Sequence, residues 1–404
     1  MAARLRLLVI APFAPRSDGR HGGARAIART IAALSGRHDV GLAHFAAEGD
    51  TGVDAAVAGS VAFVEPLPAP DVRGGRRWAR RAIIDGALIA GIPTAASELR
   101  SRAAVRRLAA IAAEWRPDIV QFEFLSTAIL SAATGTHTTR RVLVDHDATL
   151  RPVQSFDHLP RPLASTLEAL DTSAWRRFAA RTARRFDAAV AFTERDVASC
   201  QRAGFSRVEQ IPLTMPARDR PLDAVGAAPP SIVFVGYYRH PPNADAARWL
   251  VGEIFPRVRA DYPSAQLVLV GDQLPADVRE RAADGVVTAG AVDDVSAYLD
   301  RAAVVVAPLR TGGGTRVKVL EALGAGKALV ATPLALEGVD VPPEAALVAR
   351  STAEFAASIA SLLRDDERRR QLGEAAYAWA RSTFDVDLAA DHYHRLYIEL
   401  LHRR

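Results

Sequence analysis

Cysteine is almost absent from this chain. Cys200 is the only one in 404 residues. No intrachain disulfide can form and no cysteine-based metal site is available, so a reducing, cytoplasmic setting is expected. Lysine is nearly as scarce. Of 51 Lys and Arg residues, only Lys318 and Lys327 are lysines. Long apolar runs are missing too. Nothing approaches the ~18 uncharged residues of a membrane span, and the most apolar stretch, 82–92, contains Asp85. The first apolar run follows Arg4 and Arg6 and breaks at Pro12 and Pro15. It reads as a buried first strand rather than a secretion signal. No repeat and no low-complexity tract is found.

What is present suits a large packed protein. The hydrophobic fraction is 49%, and the length fits two domains of roughly 200 residues each. Net charge is +5, which suits anionic ligands or an anionic surface. The arginines are spread along the chain without a binding motif, which argues against nucleic acid. One denser cluster, Arg73 to Arg81 (RGGRRWARR), reads either as a solvated basic helix face or as a peripheral contact with the inner face of a membrane.

Short apolar runs alternate with amphipathic stretches. Strands are expected at 5–11, 40–45, 62–65, 118–123, 142–145 and 188–192, then at 231–236, 266–271, 286–289, 303–307 and 328–331. Helical patterns lie between them, including 102–115, 163–185, 244–260 and 315–325, with three more over 352–402. This rhythm implies an α/β fold with parallel sheets covered on both faces. Pro212, Pro216, Pro221, Pro229 and Pro230 interrupt it. The expected division is a first domain over 1–212, a linker over 213–230, a second domain over 231–384 and a last helix over 385–404 that returns to the first domain. Both domains read as Rossmann-like, with parallel sheets facing across a cleft and ligands at the carboxyl ends of the strands.

The most informative segment is VVVAPLRTGGGTRVKVLEALGAGKALVAT, residues 304–332. A buried strand runs into a loop carrying Gly312, Gly313 and Gly314, and a helix starts near Thr315. Glycines let the backbone approach a phosphate, and the helix N-terminus favours negative charge. Arg316 and Lys318 fall in the first turns, where they can neutralise a diphosphate. Glu321 follows, placed to accept hydrogen bonds from ribose hydroxyls. Lys327 reads as a charge at the helix C-terminus.

Together with FVGYYRHPPNADAARWL (residues 234–250) and LVLVGD (residues 267–272), this segment resembles the donor-binding domain of the GT4-like, group 1 glycosyltransferases of GT-B fold. The resemblance implies transfer of a sugar from a nucleoside diphosphate sugar to an acceptor hydroxyl, with retention and without a metal. No cofactor is implied beyond the nucleotide-sugar co-substrate. In that family two glutamates lie eight positions apart on this loop and helix. Glu321 matches the second, the ribose contact. The first falls at Gly313, so sugar recognition must differ here. The family's diphosphate-binding basic pair after the first strand of this domain has only Arg239 as its counterpart, which throws more of that work on Arg316 and Lys318. Backbone around Gly290 to Val292 is where the family holds the base; Asp293 and Asp294 read as a turn before the next helix.

In the first half, Gly22 and Gly23 resemble the family's paired glycines beside the donor. Asp18, Arg20 and His21 precede them, and Glu123 ends a strand; all four are acceptor-side candidates. His146, just past a strand in VLVDHDATL, matches a histidine near the reacting sugar. The triplet Asp145-His146-Asp147 is literally a D-x-D, yet the diphosphate signal lies in the other half, so metal binding is not expected. Tyr237 and Tyr238 suit either site or packing. Glycan or lipid-linked acceptors are implied by the resemblance alone. Two other readings stay open: a non-catalytic GT-B-like binding or scaffolding protein, motivated by Gly313, and a sugar-nucleotide 2-epimerase of the same architecture.

Overall fold

The computed structural model describes residues 4–17, 22–46, 52–68, 86–135, 138–146, 160–215, 218–281, 285–292, 294–312 and 317–402. The chain divides into two compact units. One comprises Met1–Ser17, Gly23–Pro212 and Ala389–Arg404; the other comprises Asp18–Gly22 and Leu213–Leu388.

The first unit is built on seven parallel strands: β1 (Arg6–Ala11), β2 (Asp39–Phe45), β3 (Phe63–Leu67), β4 (Ile119–Glu123), β5 (Arg140–Val144), β6 (Ala188–Ala191) and β7 (Val208–Gln210). They lie in the order β3-β2-β1-β4-β5-β6-β7. Buried runs such as RLLVIA and IVQFE account for the central strands, because helices cover both faces of a parallel sheet. Side-chain caps set several helix starts. Ser101 accepts from Ala104 N before Arg102–Trp115, and Thr193 accepts from Asp196 N before Glu194–Ala203. The latter helix stops at Gly204, whose φ of 97° is left-handed.

The second unit has six parallel strands: β8 (Ser231–Val235), β9 (Gln266–Val270), β10 (Val286–Gly290), β11 (Ala302–Ala307), β12 (Leu329–Ala331) and β13 (Leu347–Val348). Their order is β10-β9-β8-β11-β12-β13. The α/β class with two parallel sheets is as expected. The expected helix 244–260 is instead three pieces: Pro241–Trp249, a π turn at Leu250–Ile254, and Phe255–Asp261. Pro256 has no N–H to bond back to Gly252, and the wider turn absorbs that gap. Strands β7 and β13 were not anticipated. At three and two residues, they are too short to show a period.

The stretch read as a linker packs on the second unit. Leu222 N donates to Ala325 O at 2.9 Å, and Ala227 N donates to Arg301 O at 3.0 Å. Lys327 lies beneath it, fully buried rather than exposed at a helix end. Its ammonium donates to the backbone oxygens of Asp223 and Asp300. Burial lowers its pKa to about 8, against the pull of the Asp223 and Asp300 charges. This is the work of a structural staple, so the dipole role expected for Lys327 gives way to burial. At the far end of the chain, helix Val386–His402 enters the first unit from Ala389 onward.

Candidate functional site

Each sheet reverses its strand order once, and that switch point opens a crevice at the strand ends. In the second unit it falls between β8 and β11. The segments that leave those two strands carry the expected donor residues. After β8 the chain turns through Gly236, Tyr237 and Tyr238 into helix Pro241–Trp249. The turn is fixed from below. Tyr238 is buried and donates its hydroxyl to Phe234 O at 3.1 Å; burial raises its pKa far above the usual phenol value. Tyr238 therefore belongs to the packing. Gly271 lies against the turn at φ 134°, and a Cβ there would sit 1.7 Å from Gly236 O.

After β11 the chain passes Pro308, Leu309 and Arg310 to Gly312, whose φ of 109° favours glycine. Thr332, after β12, donates to Leu309 O at 2.6 Å and steadies that exit. Arg310 is clamped by Asp245, with its Nε and Nη2 at 3.1 and 2.7 Å from the two carboxylate oxygens. Its guanidinium also lies 4.9 Å from the Trp249 ring centroid. Gly313, Gly314, Thr315 and Arg316 lie outside the described residues, as does Asp293.

Helix Val317–Gly324 follows. Lys318 on its first turn is half-buried. Its ammonium donates to Asn243 Oδ1 and stands 4.6 Å over the Phe234 ring. Asn243 donates in turn to Tyr237 O at 2.9 Å. Glu321 is three residues on, on the same helix face and also half-buried. The switch point thus holds a cation and a carboxylate side by side on one helix, with the cation oriented by the neighbouring strand's exit. Arg239 is exposed in the turn after Tyr238.

The first unit's switch point falls between β1 and β4. Helix Gly22–Ser35, which follows β1, opens with Gly22 and Gly23. Asp18, Arg20 and His21 lie outside the described residues, as do Arg73 to Arg81 and Asp147. His146 follows β5 and is 7% exposed. Its Nε2 is 2.6 Å from Glu123 Oε2. Phe124 stacks on the imidazole at 4.1 Å and 10°, and Phe192 meets it edge-on at 4.9 Å. Phe124 holds this place at φ 64°, a costly backbone for a bulky side chain.

Glu123 was expected on the acceptor side. It is instead fully buried, with Gln121 Nε2 at 2.6 Å from its other oxygen. A carboxylate with both oxygens engaged inside the core supports His146 and does not itself face a ligand. Asp145 is also fully buried, with Oδ2 3.9 Å from Cys200 Sγ. Among the described residues, no group of three or more His, Cys, Asp and Glu side chains is arranged to hold a metal ion, and no helix is long and apolar enough to cross a membrane.

Reading the sequence missed four contributors: Asn243, Phe234, Gln121 and Tyr397. Asn243 left a faint signal, a polar residue just after Pro241 and Pro242 in a helix first turn. Gln121 was a polar residue inside an apolar strand. Tyr397, on the last helix, donates its hydroxyl to Gln121 Oε1, a contact across 276 positions that no local pattern reveals.

Comparison with known proteins fits this geometry. The model of the family described as "Glycosyl transferases group 1" matches residues 229–365, which include β8, β11 and the Lys318 helix. Over that part, the chain is similar to group 1 glycosyltransferase domains. No curated protein matches the sequence. Among solved structures, sucrose-phosphate synthase from Thermosynechococcus elongatus superposes with a TM-score of 0.70 at 16% identity, covering 98% of this chain and 99% of that one. Anabaena Alr3699/HepE in complex with UDP and glucose gives 0.62 at 13%, covering 97% and 99%. A putative UDP-N-acetylglucosamine 2-epimerase from Listeria monocytogenes gives 0.54 at 14%, covering 97% and 95%. At such identities the likeness establishes the GT-B fold.

Proposed function

We propose that the protein is a glycosyltransferase that moves a hexosyl group from a nucleoside diphosphate sugar to an acceptor hydroxyl, with retention and without a metal, in polysaccharide or glycoconjugate biosynthesis. The observation that carries this is the placement of Lys318. One of two lysines in the chain, it stands at the switch point of the group 1 domain, held by Asn243 and Phe234.

In this reading Lys318 and Arg316 neutralise the leaving diphosphate, aided by backbone N–H groups of Gly312, Gly313 and Gly314 and by Thr315. A preorganised cation acts most strongly on charge that develops during the reaction. Glu321 accepts hydrogen bonds from the ribose, and Arg239 reaches the phosphates from the opposite rim. His146, with Gly22 and Gly23, attends the reacting sugar, and Asp18, Arg20 and His21 the acceptor. HepE, in complex with UDP and glucose, supports a uridine nucleotide as the first donor to test. The acceptor is a glycan or lipid-linked intermediate, reached at the inner membrane face through Arg73 to Arg81 in a cytoplasmic protein.

The likeness to the epimerase fold supports one other reading, isomerisation of the nucleotide sugar itself. NMR of a nucleotide-sugar incubation separates the alternatives. A transferase consumes donor faster when acceptor is added, an epimerase converts donor alone, and a scaffolding protein leaves it unchanged. The last two outcomes defeat the proposal.

A further inference from the structure

A line of four hydrogen-bonded side chains runs through the core of the first unit. It starts at Tyr397 on the last helix, passes Gln121 and Glu123 on β4, and ends at His146 after β5. None of the four is more than 7% exposed. Buried polar networks are costly when any member lacks a partner, so an apolar core would serve packing alone equally well.

The line also has a direction. A phenol at the start donates to the Gln121 amide oxygen. Burial pushes the Tyr397 pKa well above its usual value, so it stays a donor. The Gln121 amide is then turned with its NH2 toward Glu123 Oε1. The opposite orientation would set an amide oxygen against a carboxylate oxygen. Glu123 accepts on both oxygens, which leaves His146 Nε2 as the donor of the last bond.

We propose that Tyr397, Gln121 and Glu123 are positioning residues that hold His146 as the Nε2–H tautomer and present its Nδ1 lone pair to the ligand. His146 would then act on the sugar or acceptor as a hydrogen-bond acceptor and not as a donor. The assignment of a ligand to Nδ1 rests on the glycosyltransferase reading above; the tautomer does not. The last helix supplies the donor that starts the line, so its seating in the first unit is read out at His146. No proton needs to travel along the chain, since each member only orients the next.

The substitution Glu123→Gln tests the direction. Gln121 still donates to the amide oxygen at position 123, so the amide NH2 there must face His146 Nε2. That nitrogen becomes an acceptor and the proton moves to Nδ1. Nitrogen-15 NMR of imidazole-labelled, ligand-free full-length protein reads this directly, with the His146 signals assigned by their loss in His146→Gln. The expected result is Nε2–H in the wild type, Nδ1–H in Glu123→Gln, and a mixture in Tyr397→Phe, which keeps the ring and removes only the donor. Asp391→Asn, which breaks the exposed Arg37 pair on the same helix, leaves the tautomer unchanged.

Donor kinetics add a second readout: Glu123→Gln lowers kcat about tenfold with donor KM within about twofold, the mark of an interaction made in the transition state. An Nδ1–H wild type, an unmoved tautomer in Glu123→Gln, or an equal change in Asp391→Asn would overturn the proposal. If the tautomers behave as stated but no sugar is transferred by the wild type, the positioning chain stands and the functional reading fails.

Discussion

Lys318 donates its ammonium proton to Asn243 Oδ1, so the helix that follows β11 is tied to the helix that follows β8. The bond does two things. It keeps a long, flexible side chain over the Phe234 ring, and it orients the ammonium before any ligand arrives. Removing the cation removes a charge-assisted contact of roughly 1.5–3 kcal/mol. Lys318→Ala is therefore expected to weaken nucleoside diphosphate binding by about 10- to 100-fold. Asn243→Ala only frees the side chain and is expected to cost less than tenfold. Equal losses in the two variants would show that orientation, not charge, dominates.

Glu321 is expected to read the ribose. The replacement Glu321→Ala should weaken binding of UDP by about tenfold, and should cost much less for a 2′,3′-dideoxy analogue. The comparison isolates the hydroxyl contact from general damage to the helix. Identical losses for both nucleotides would remove Glu321 from the ribose site.

Gly271 and Gly290 both have positive φ, at 134° and 71°, but differ in what surrounds them. A Cβ at Gly271 would collide with Gly236 O, whereas nothing lies within 4 Å of one at Gly290. Gly271→Ala is expected to destabilise the protein by about 3 kcal/mol or more, and Gly290→Ala by about 1 kcal/mol. Denaturant unfolding of the two variants checks the ranking. Gly271 also supports the turn that carries Tyr237 and Asn243, so its replacement should weaken nucleotide binding as well.

Much of this organisation was legible in the sequence. Central strands such as β8 and β11 are continuous runs of small apolar and β-branched residues that a parallel sheet buries on both faces. The Gly loop and Lys318 suggested an anion site because glycine and a scarce lysine each have a physical reason to be there, and the fold sets both after β11. What stayed hidden depends on distant pairing. Glu123 looked like a ligand-facing carboxylate at a strand end. Only the fold reveals that Gln121 and His146 occupy both its oxygens. Lys327 looked like a helix-end charge for the same reason, and the pairing of Tyr397 with Gln121 spans 276 positions.

His38 stacks on His394 of the last helix, with ring centroids 5.2 Å apart, and its Nδ1 accepts from Leu5 N at 3.4 Å. Burial, reinforced by the nearby charges of His394, Arg4 and Arg37 and opposed by Asp39, lowers its pKa to about 4. The unfolded chain, near 6.5, therefore takes up a proton first. The stability linked to His38 is complete above about pH 6.5 and is lost as pH falls toward 4. Between pH 7 and 5 this group should remove about 2 kcal/mol from the unfolding free energy. Urea denaturation at the two pH values checks it. His38→Gln should flatten the pH slope, and an unchanged slope would assign it elsewhere.

The proposed donor site stands or falls on whether the second unit binds a nucleoside diphosphate sugar through Lys318. The deciding experiment is isothermal titration of the wild type and Lys318→Ala with UDP-, GDP- and dTDP-linked sugars. At least one of these donors is expected to bind the wild type and to bind the variant about 10- to 100-fold more weakly. Absence of binding to the wild type by all of them, or equal affinity for the two proteins, would contradict it.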